Sequence, residues 1–277
     1  DKGLGSGADA LIVDLEDSIV PDRKAAARGA AAEFVKAAVA RAQRPRILVR
    51  INGLTTGLAD ADLDAVIQAQ PDAIMLPKAE GGPSIIHLDA KLAVREALSG
   101  LPDGHVKIVA LATETAQSLF VAGTYRGSSN RLTGLTWGAE DLSADLGAEA
   151  NRGADGRFLE PYRFARIICL TAASAAGVQA IDTLSVDFRN EAALRGECEE
   201  ARRDGFTGKL AIHPAQVPII NEVLTPTAEA VAHAQAVVAA FDAAPGAGTV
   251  QINGVMFDIP HLTRAKNLLA RARTLAG

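Results

Sequence analysis

A chain of 277 residues, 48% of them hydrophobic, can bury a sizeable core as two ordinary domains or as one large barrel. Its net charge of −5, with no basic stripe interleaved with aromatics, argues against a nucleic-acid partner. Two cysteines without CxxC spacing, no apolar run near the ~18 residues of a membrane span and no signal peptide lead us to expect a cytosolic α/β protein with no membrane partner.

Gly3-Leu4-Gly5-Ser6-Gly7 opens the chain ahead of a strand, whereas a dinucleotide fingerprint follows one. Ala10–Asp17 is the first β-branched run, and the Ala-rich stretch Ala25–Ala42 after it favours helix. The unit then recurs. Strand-like runs at Arg46–Asn52, Ala73–Lys78, Lys107–Glu114, Gly134–Asp141, Gln179–Thr183 and Lys209–His213 alternate with helical stretches at Leu58–Ala69, Ser84–Leu98, Ala116–Ala122, Tyr162–Ala176 and Glu191–Asp204. Runs that are continuously apolar before a polar end are parallel strands covered on both faces, joined by helical crossovers. This predicts a (β/α)8 TIM barrel, with an open seven-stranded sheet as the alternative. Seven strands are countable, so a further first strand and most of a helix are expected to be missing from this numbering.

Beyond residue 214 the repeat stops. Ala215–Val223 and Thr227–Ala243 read as helices, Val250–Asp258 as a hairpin turning at Asn253-Gly254, and His261–Leu275 as a closing helix. Residues 1–214 are expected to form the catalytic barrel, and 215–277 a small helical and hairpin lid or oligomer contact.

The polar groups collect at strand ends: Asp14, Glu16 and Asp17; Arg50 and Asn52; Lys78; Glu114; Asp141; Asp182; His213. In a parallel α/β fold these ends share one rim. Glu114 and Asp141 end successive strands, where a buried carboxylate is costly without a cation or a hydrogen-bond shell. Two side by side suit a hard cation such as Mg²⁺. Asp14 and Glu16 point to one side of their strand, either as an outer layer around the metal or as partners of Lys78 and Arg50. Arg50 can grip a substrate carboxylate with two hydrogen bonds, a salt bridge to Glu16 being the alternative. A strand-end lysine such as Lys78 can form a Schiff base, but this many acids should keep it charged. His213 reads as a packed strand-end histidine rather than a ligand, and 153–157 as a rim loop without EF-hand spacing.

Val13-Asp14-Leu15-Glu16-Asp17-Ser18, Val49-Arg50-Ile51-Asn52, Leu76-Pro77-Lys78, Glu114-Thr115 and Gly138-Ala139-Glu140-Asp141-Leu142 together carry a resemblance. The chain resembles the HpcH/HpaI aldolase family, and within it the citrate lyase beta-subunit-like and malyl-CoA/citramalyl-CoA lyase branch. The resemblance implies a (β/α)8 barrel, commonly trimeric, that makes or breaks a C–C bond between an acyl-CoA and a 2-oxo acid. It puts Mg²⁺ on Glu114 and Asp141 and the oxo acid's carboxylate on Arg50. Glu16 joins the catalytic group, and Lys78 joins Glu114 among the substrate contacts. Gly254-Val255-Met256-Phe257-Asp258-Ile259-Pro260 matches a segment that closes over a neighbouring subunit's site, which makes Asp258 the candidate general acid/base. Lys24 and Arg28 could meet CoA phosphates, a solvated helix face being the plainer reading. Asp182–Phe188 departs from the family's usual Thr-Pro and aromatic continuation, so the acyl group is not named. Cleavage of a free hydroxy-oxo acid is the alternative activity. A non-catalytic citrate-lyase-like subunit would predict loss of Glu114, Asp141 or Arg50, and all three are present.

Overall fold

The structure, a computed structural model, describes residues 2–276. They form two compact units that divide at Ile220/Asn221. In the first unit the elements alternate: β1 (Ala10–Asp14), α1 (Lys24–Val39), β2 (Arg46–Arg50), α2 (Ala59–Val66), β3 (Ala73–Leu76), α3 (Gly81–Leu98), β4 (Lys107–Leu111), α4 (Ala116–Val121), β5 (Leu132–Thr136), α5 (Ala139–Leu146), α6 (Glu160–Ala176), β6 (Gln179–Asp182), α7 (Glu191–Asp204) and β7 (Gly208–Lys209). Among the described residues the parallel sheet has seven strands in sequential order. That is the order of a barrel built from right-handed crossovers.

Two buried clusters lie on opposite faces of this sheet. Alternate strand residues Leu48, Ala73, Met75, Val109 and Leu111 meet Ile181 and Leu210 on one face. Strands far apart in the sheet share this cluster, so the sheet must curl around it. The other cluster, with Ile47, Val49, Ile74, Ile108, Leu135 and Trp137, packs under the surrounding helices. Period-two alternation thus puts half of each strand in the barrel interior and half beneath the helices.

Three boundaries differ from the sequence reading. The run to Asp141 does not stay extended: Gly138 begins α5, whose first turn holds Glu140 and Asp141. The free N–H groups and positive end of a helix favour acids there. Lys209–His213 is strand only at Gly208–Lys209, because His213 and Pro214 open a 3-10 turn that His213 caps. α3 starts at Gly81 rather than Ser84, since a Cβ on Gly82 would stand 2.3 Å from the Thr124 carbonyl oxygen. Glycine is what allows that approach.

At the start of β5, the opposite end of the strands from the polar rim, Arg131 is 3% exposed and donates to Glu96 at 2.7 Å, Asp89 at 2.5 Å and Asp103 at 2.5 Å. Glu96 is fully buried and also accepts the Val106 and Gly104 N–H groups. Burial alone would raise its pKa, but Arg131 and these N–H groups hold it below the ordinary value. Arg131→Met should therefore strand a buried carboxylate and cost about 3 kcal/mol. Urea unfolding at pH 7 checks this. Cys169 and Cys198 are buried thiols, pushed up by burial (Cys198 to about 11), and are chemically quiet.

The division at Ile220/Asn221 falls inside α8 (Val217–Leu224) rather than at residue 214. The second unit contains α9 (Ala228–Asp242), a hairpin of β8 (Thr249–Ile252) and β9 (Val255–Asp258), and α10 (Ile259–Ala276). Asn253 and Gly254 both take positive φ, 50° and 81°, as a two-residue primed turn requires. Ala234, Val237, Phe241 and Ala265 form its core, against Val250, Ile252, Phe257 and Leu262. No helix among the described residues is long and apolar enough to cross a membrane.

Candidate active site

The C-terminal ends of β1 to β5 bring Asp14, Glu16, Arg50, Lys78, Glu114 and Asp141 into one ionic cluster. Asp14 and Arg50 are register partners on β1 and β2. The guanidinium donates Nε to Asp14 Oδ1 at 2.7 Å and Nη2 to Oδ2 at 2.6 Å, while Nη1 lies 3.0 Å from Glu16 Oε2. Asp14 also accepts the Glu16 N–H at 2.9 Å. Burial alone would raise the Asp14 pKa; the Arg50 hydrogen bonds outweigh it and hold the carboxyl down at about 2. The same pairing raises Arg50 against the effect of its own burial. One edge of Arg50 is thus spent on Asp14, and the Nη1 side faces Glu16. Of the two sequence readings of Arg50, the salt bridge to Glu16 is the one seen in the geometry.

Lys78 stands just past β3 in the left-handed region, φ 49°. This turn aims its backbone N–H at Glu114 Oε2, 2.6 Å away. Its ammonium reaches Glu16 Oε1 at 2.5 Å, Asp141 Oδ1 at 3.0 Å and Asp17 Oδ2 at 3.2 Å. Burial would lower its pKa, but Glu16 and Asp141 raise it well above the ordinary lysine value. An amine held this firmly protonated is no Schiff-base nucleophile.

Glu114, three residues beyond β4, is 2% exposed. Burial is the main reason its carboxyl is pushed up to about 8; Asp141 and Glu16 add to it, and the Lys78 N–H works against it. Gly138 makes room for this carboxyl, since a Cβ there would lie 2.9 Å from Glu114 Oε1. The glycine therefore seats Glu114 against the turn that carries Asp141. No group of three or more His, Cys, Asp or Glu among the described residues is arranged to hold a metal by itself. Mg²⁺ commonly needs only one or two carboxylates, with water and substrate supplying the rest. A buried carboxyl that resists ionising without a nearby cation, beside a half-exposed second acid, is a donor set that fits.

Lys24 and Arg28 do not sit on a solvated face. Lys24 Nζ donates to Leu15 O at 2.8 Å, Glu16 O at 2.8 Å and Asn52 Oδ1 at 2.7 Å, which uses all three of its donors. Arg28 Nε donates to Asp62, and Asp62 accepts both the backbone and side-chain N–H groups of Asn52. The expected contact with CoA phosphates is replaced by a brace under the Leu15–Glu16 backbone. Asp182 also turns away from the interior, accepting Trp137 Nε1 at 2.7 Å and Arg166 Nε at 3.2 Å. His213 is exposed rather than packed at a strand end; it stacks on Phe188 and accepts the Ala215 N–H.

Of the two sequence readings of Asp14 and Glu16, pairing with Arg50 and Lys78 is the one the geometry shows. Sequence reasoning missed the Asn52–Asp62 brace and the roles of Lys78's backbone and Gly138. In the second unit Asp258 ends β9 ahead of α10, with its side chain half exposed and in contact with His261.

The profile of the HpcH/HpaI aldolase/citrate lyase family matches residues 1–214. The chain belongs to this family. A second profile, C-C bond lyase of the TIM-barrel fold, matches residues 164–276. The chain is 35% identical to a (3S)-malyl-CoA thioesterase of Cereibacter sphaeroides (strain ATCC 17029 / ATH 2.4.9), over 100% of this chain and 90% of that protein. It is 34% identical to the citrate lyase subunit beta of Escherichia coli (strain K12), over 96% and 86%. Among solved structures, the CitE protein of Mycobacterium tuberculosis in complex with magnesium, acetoacetate and coenzyme A superposes with a TM-score of 0.74 at 33% identity, over 96% of this chain and 90% of that one. The fold is the TIM barrel of this family of carbon–carbon lyases.

Proposed function

We propose that this chain is a Mg²⁺-dependent carbon–carbon lyase that cleaves a 3-hydroxyacyl-CoA, such as malyl-CoA or citramalyl-CoA, into an acyl-CoA and a 2-oxo acid. The observation that carries it is the buried carboxyl of Glu114, which resists ionising, on the same rim as Asp141 and Arg50. The magnesium, acetoacetate and coenzyme A bound to the M. tuberculosis relative support the same assignment.

Glu114 and Asp141 would hold Mg²⁺, which polarises the carbonyl of the oxo acid. Arg50 binds the carboxylate of that half through its Nη1 side and fixes the C–C bond relative to the acids. Lys78 and Glu16 keep the acids apart and charge-balanced. Asp258, supplied by a neighbouring copy in a homo-oligomer, takes the proton of the C3 hydroxyl. The C3–O bond becomes a carbonyl as the C2–C3 bond breaks, its electrons forming the thioester enolate. Asp258 then returns the proton to C2.

Hydrolysis of the thioester is a second reading, favoured by the malyl-CoA thioesterase relative. One assay separates the two. Malyl-CoA and citramalyl-CoA are each incubated with Mg²⁺ or EDTA, and glyoxylate, pyruvate, free CoA and the free hydroxy acid are measured. EDTA-sensitive release of an oxo acid with the thioester intact is expected. Free CoA with the whole hydroxy acid would establish thioester hydrolysis, and no product from either substrate would overturn the proposal.

A further inference from the structure

At the junction of β9 and α10, Asp258 and His261 hold each other in three ways. Asp258 Oδ1 accepts the backbone N–H of His261 at 3.3 Å, His261 Nδ1 faces the backbone N–H of Asp258 at 3.3 Å, and Nδ1 also makes a short contact with Oδ1. The first two contacts form a reciprocal cap on α10, a role that Gln or Glu ordinarily fills at this helix position. The third is not needed for capping. Nδ1 cannot accept the Asp258 N–H and donate to Oδ1 at once, so the pair has two states. With its proton on Nδ1 the ring donates to an ionised carboxylate; with the proton on the carboxyl, Nδ1 accepts it. The contact with His261 holds the Asp258 pKa below its ordinary value.

The surroundings favour such exchange. His261 stands on the wall of a cleft of about 320 Å³ with His233 from α9, Phe257 from β9 and Arg264 from its own helix. Phe257 lies edge-on to the His261 ring at 5.4 Å, and the His233 ring is 5.7 Å from Phe257. The titratable and charged groups lining this cleft are two histidines and one arginine, and the charged form of each favours an ionised carboxylate on the adjoining Asp258. Both side chains keep access to solvent, at 39% for His261 and 50% for Asp258.

We propose that His261 is the positioning residue of Asp258, orienting its carboxylate and sharing its proton, so that the carboxylate is ionised when the substrate hydroxyl arrives. This rests on the reading of the chain as a lyase with Asp258 as its acid/base.

The test compares His261→Gln, His261→Ala and Asp258→Asn in the full chain, by thermal melting and by kcat and KM for oxo-acid release between pH 4.5 and 9. Gln preserves the cap but cannot share a proton, so only Ala should lower the melting temperature. Both His261 variants should lose roughly tenfold in kcat with KM little changed, and the acid limb of kcat should move to higher pH; Asp258→Asn should lose about a hundredfold or more. Wild-type kcat and pH profile in His261→Gln, with Asp258→Asn inactive, would overturn the pairing alone. Full turnover in Asp258→Asn would remove Asp258 from the lyase reading and the pairing with it.

Discussion

Glu114→Gln is expected to abolish Mg²⁺-dependent turnover, by about three orders of magnitude or more, while making the metal-free protein more stable at pH 8. Both effects come from the same burial. In the unfolded chain this carboxyl ionises near 4.5, but in the folded, metal-free protein it holds its proton up to about 8. Between those values the unfolded state binds fewer protons than the native state, so stability falls as pH rises through that window. Above about 8 the full cost of a buried, unpaired charge is present. Gln is neutral at every pH and still accepts the Lys78 N–H, so the decline should disappear. Magnesium should reverse the decline in the wild type, because a bound cation makes the ionised form the favoured one. Melting curves at pH 5.5 and 8, each with EDTA and with Mg²⁺, measure this without any substrate. A pH-independent wild type with no magnesium response would remove Glu114 from the metal site.

Arg50→Lys should fold and yet lose about 10² to 10³ in kcat/KM, with most of the loss in affinity for the oxo acid in the condensation direction. Asp14 occupies the Nε/Nη2 edge, so the wild-type guanidinium holds Asp14 and still offers its Nη1 side. A lysine ammonium is a single point and cannot serve both. Arg50→Met tests the structural half. Asp14 is held from 3.8 down to about 2, so it contributes stability that is fully present above 3.8 and lost as pH falls toward 2. That drop corresponds to about 2 kcal/mol at most. Arg50→Met should forfeit it at neutral pH, and Arg50→Met with Asp14→Asn should recover most of it. Urea unfolding at pH 7 provides the measurement. If Arg50→Lys keeps wild-type affinity for the oxo acid, Arg50 serves Asp14 and Glu16 only.

Lys78 shows why ionic clusters are hard to read from a linear pattern. Its place after a strand and among acids was visible, and so was the inference that its amine stays charged. That its backbone would adopt φ 49° and turn an N–H toward Glu114 was not. Lys24 and Arg28 show the reverse error. Two cations on an Ala-rich helix looked like a solvated or phosphate-facing surface, but Asn52, Asp62 and two carbonyls from other segments fold over them. Long side chains follow whichever acceptors the fold delivers, and those acceptors are distant in sequence.

What the amino-acid order determined by itself was the alternation of strand and helix, the parallel sheet, the hairpin at Asn253-Gly254 and the gathering of polar groups at strand ends. These follow from local rules, the period of apolar residues and the backbone freedom of Asn and Gly, which act over a few residues. Only the tertiary structure decided that Asp141 sits on a helix's first turn, that Asp14 takes one edge of Arg50, that Gly138 leaves room for Glu114, and that His261 meets Asp258. Each depends on where a side chain's last atoms fall relative to another segment, to within about an ångström. Hydrogen bonding and burial set those positions collectively once the segments have packed.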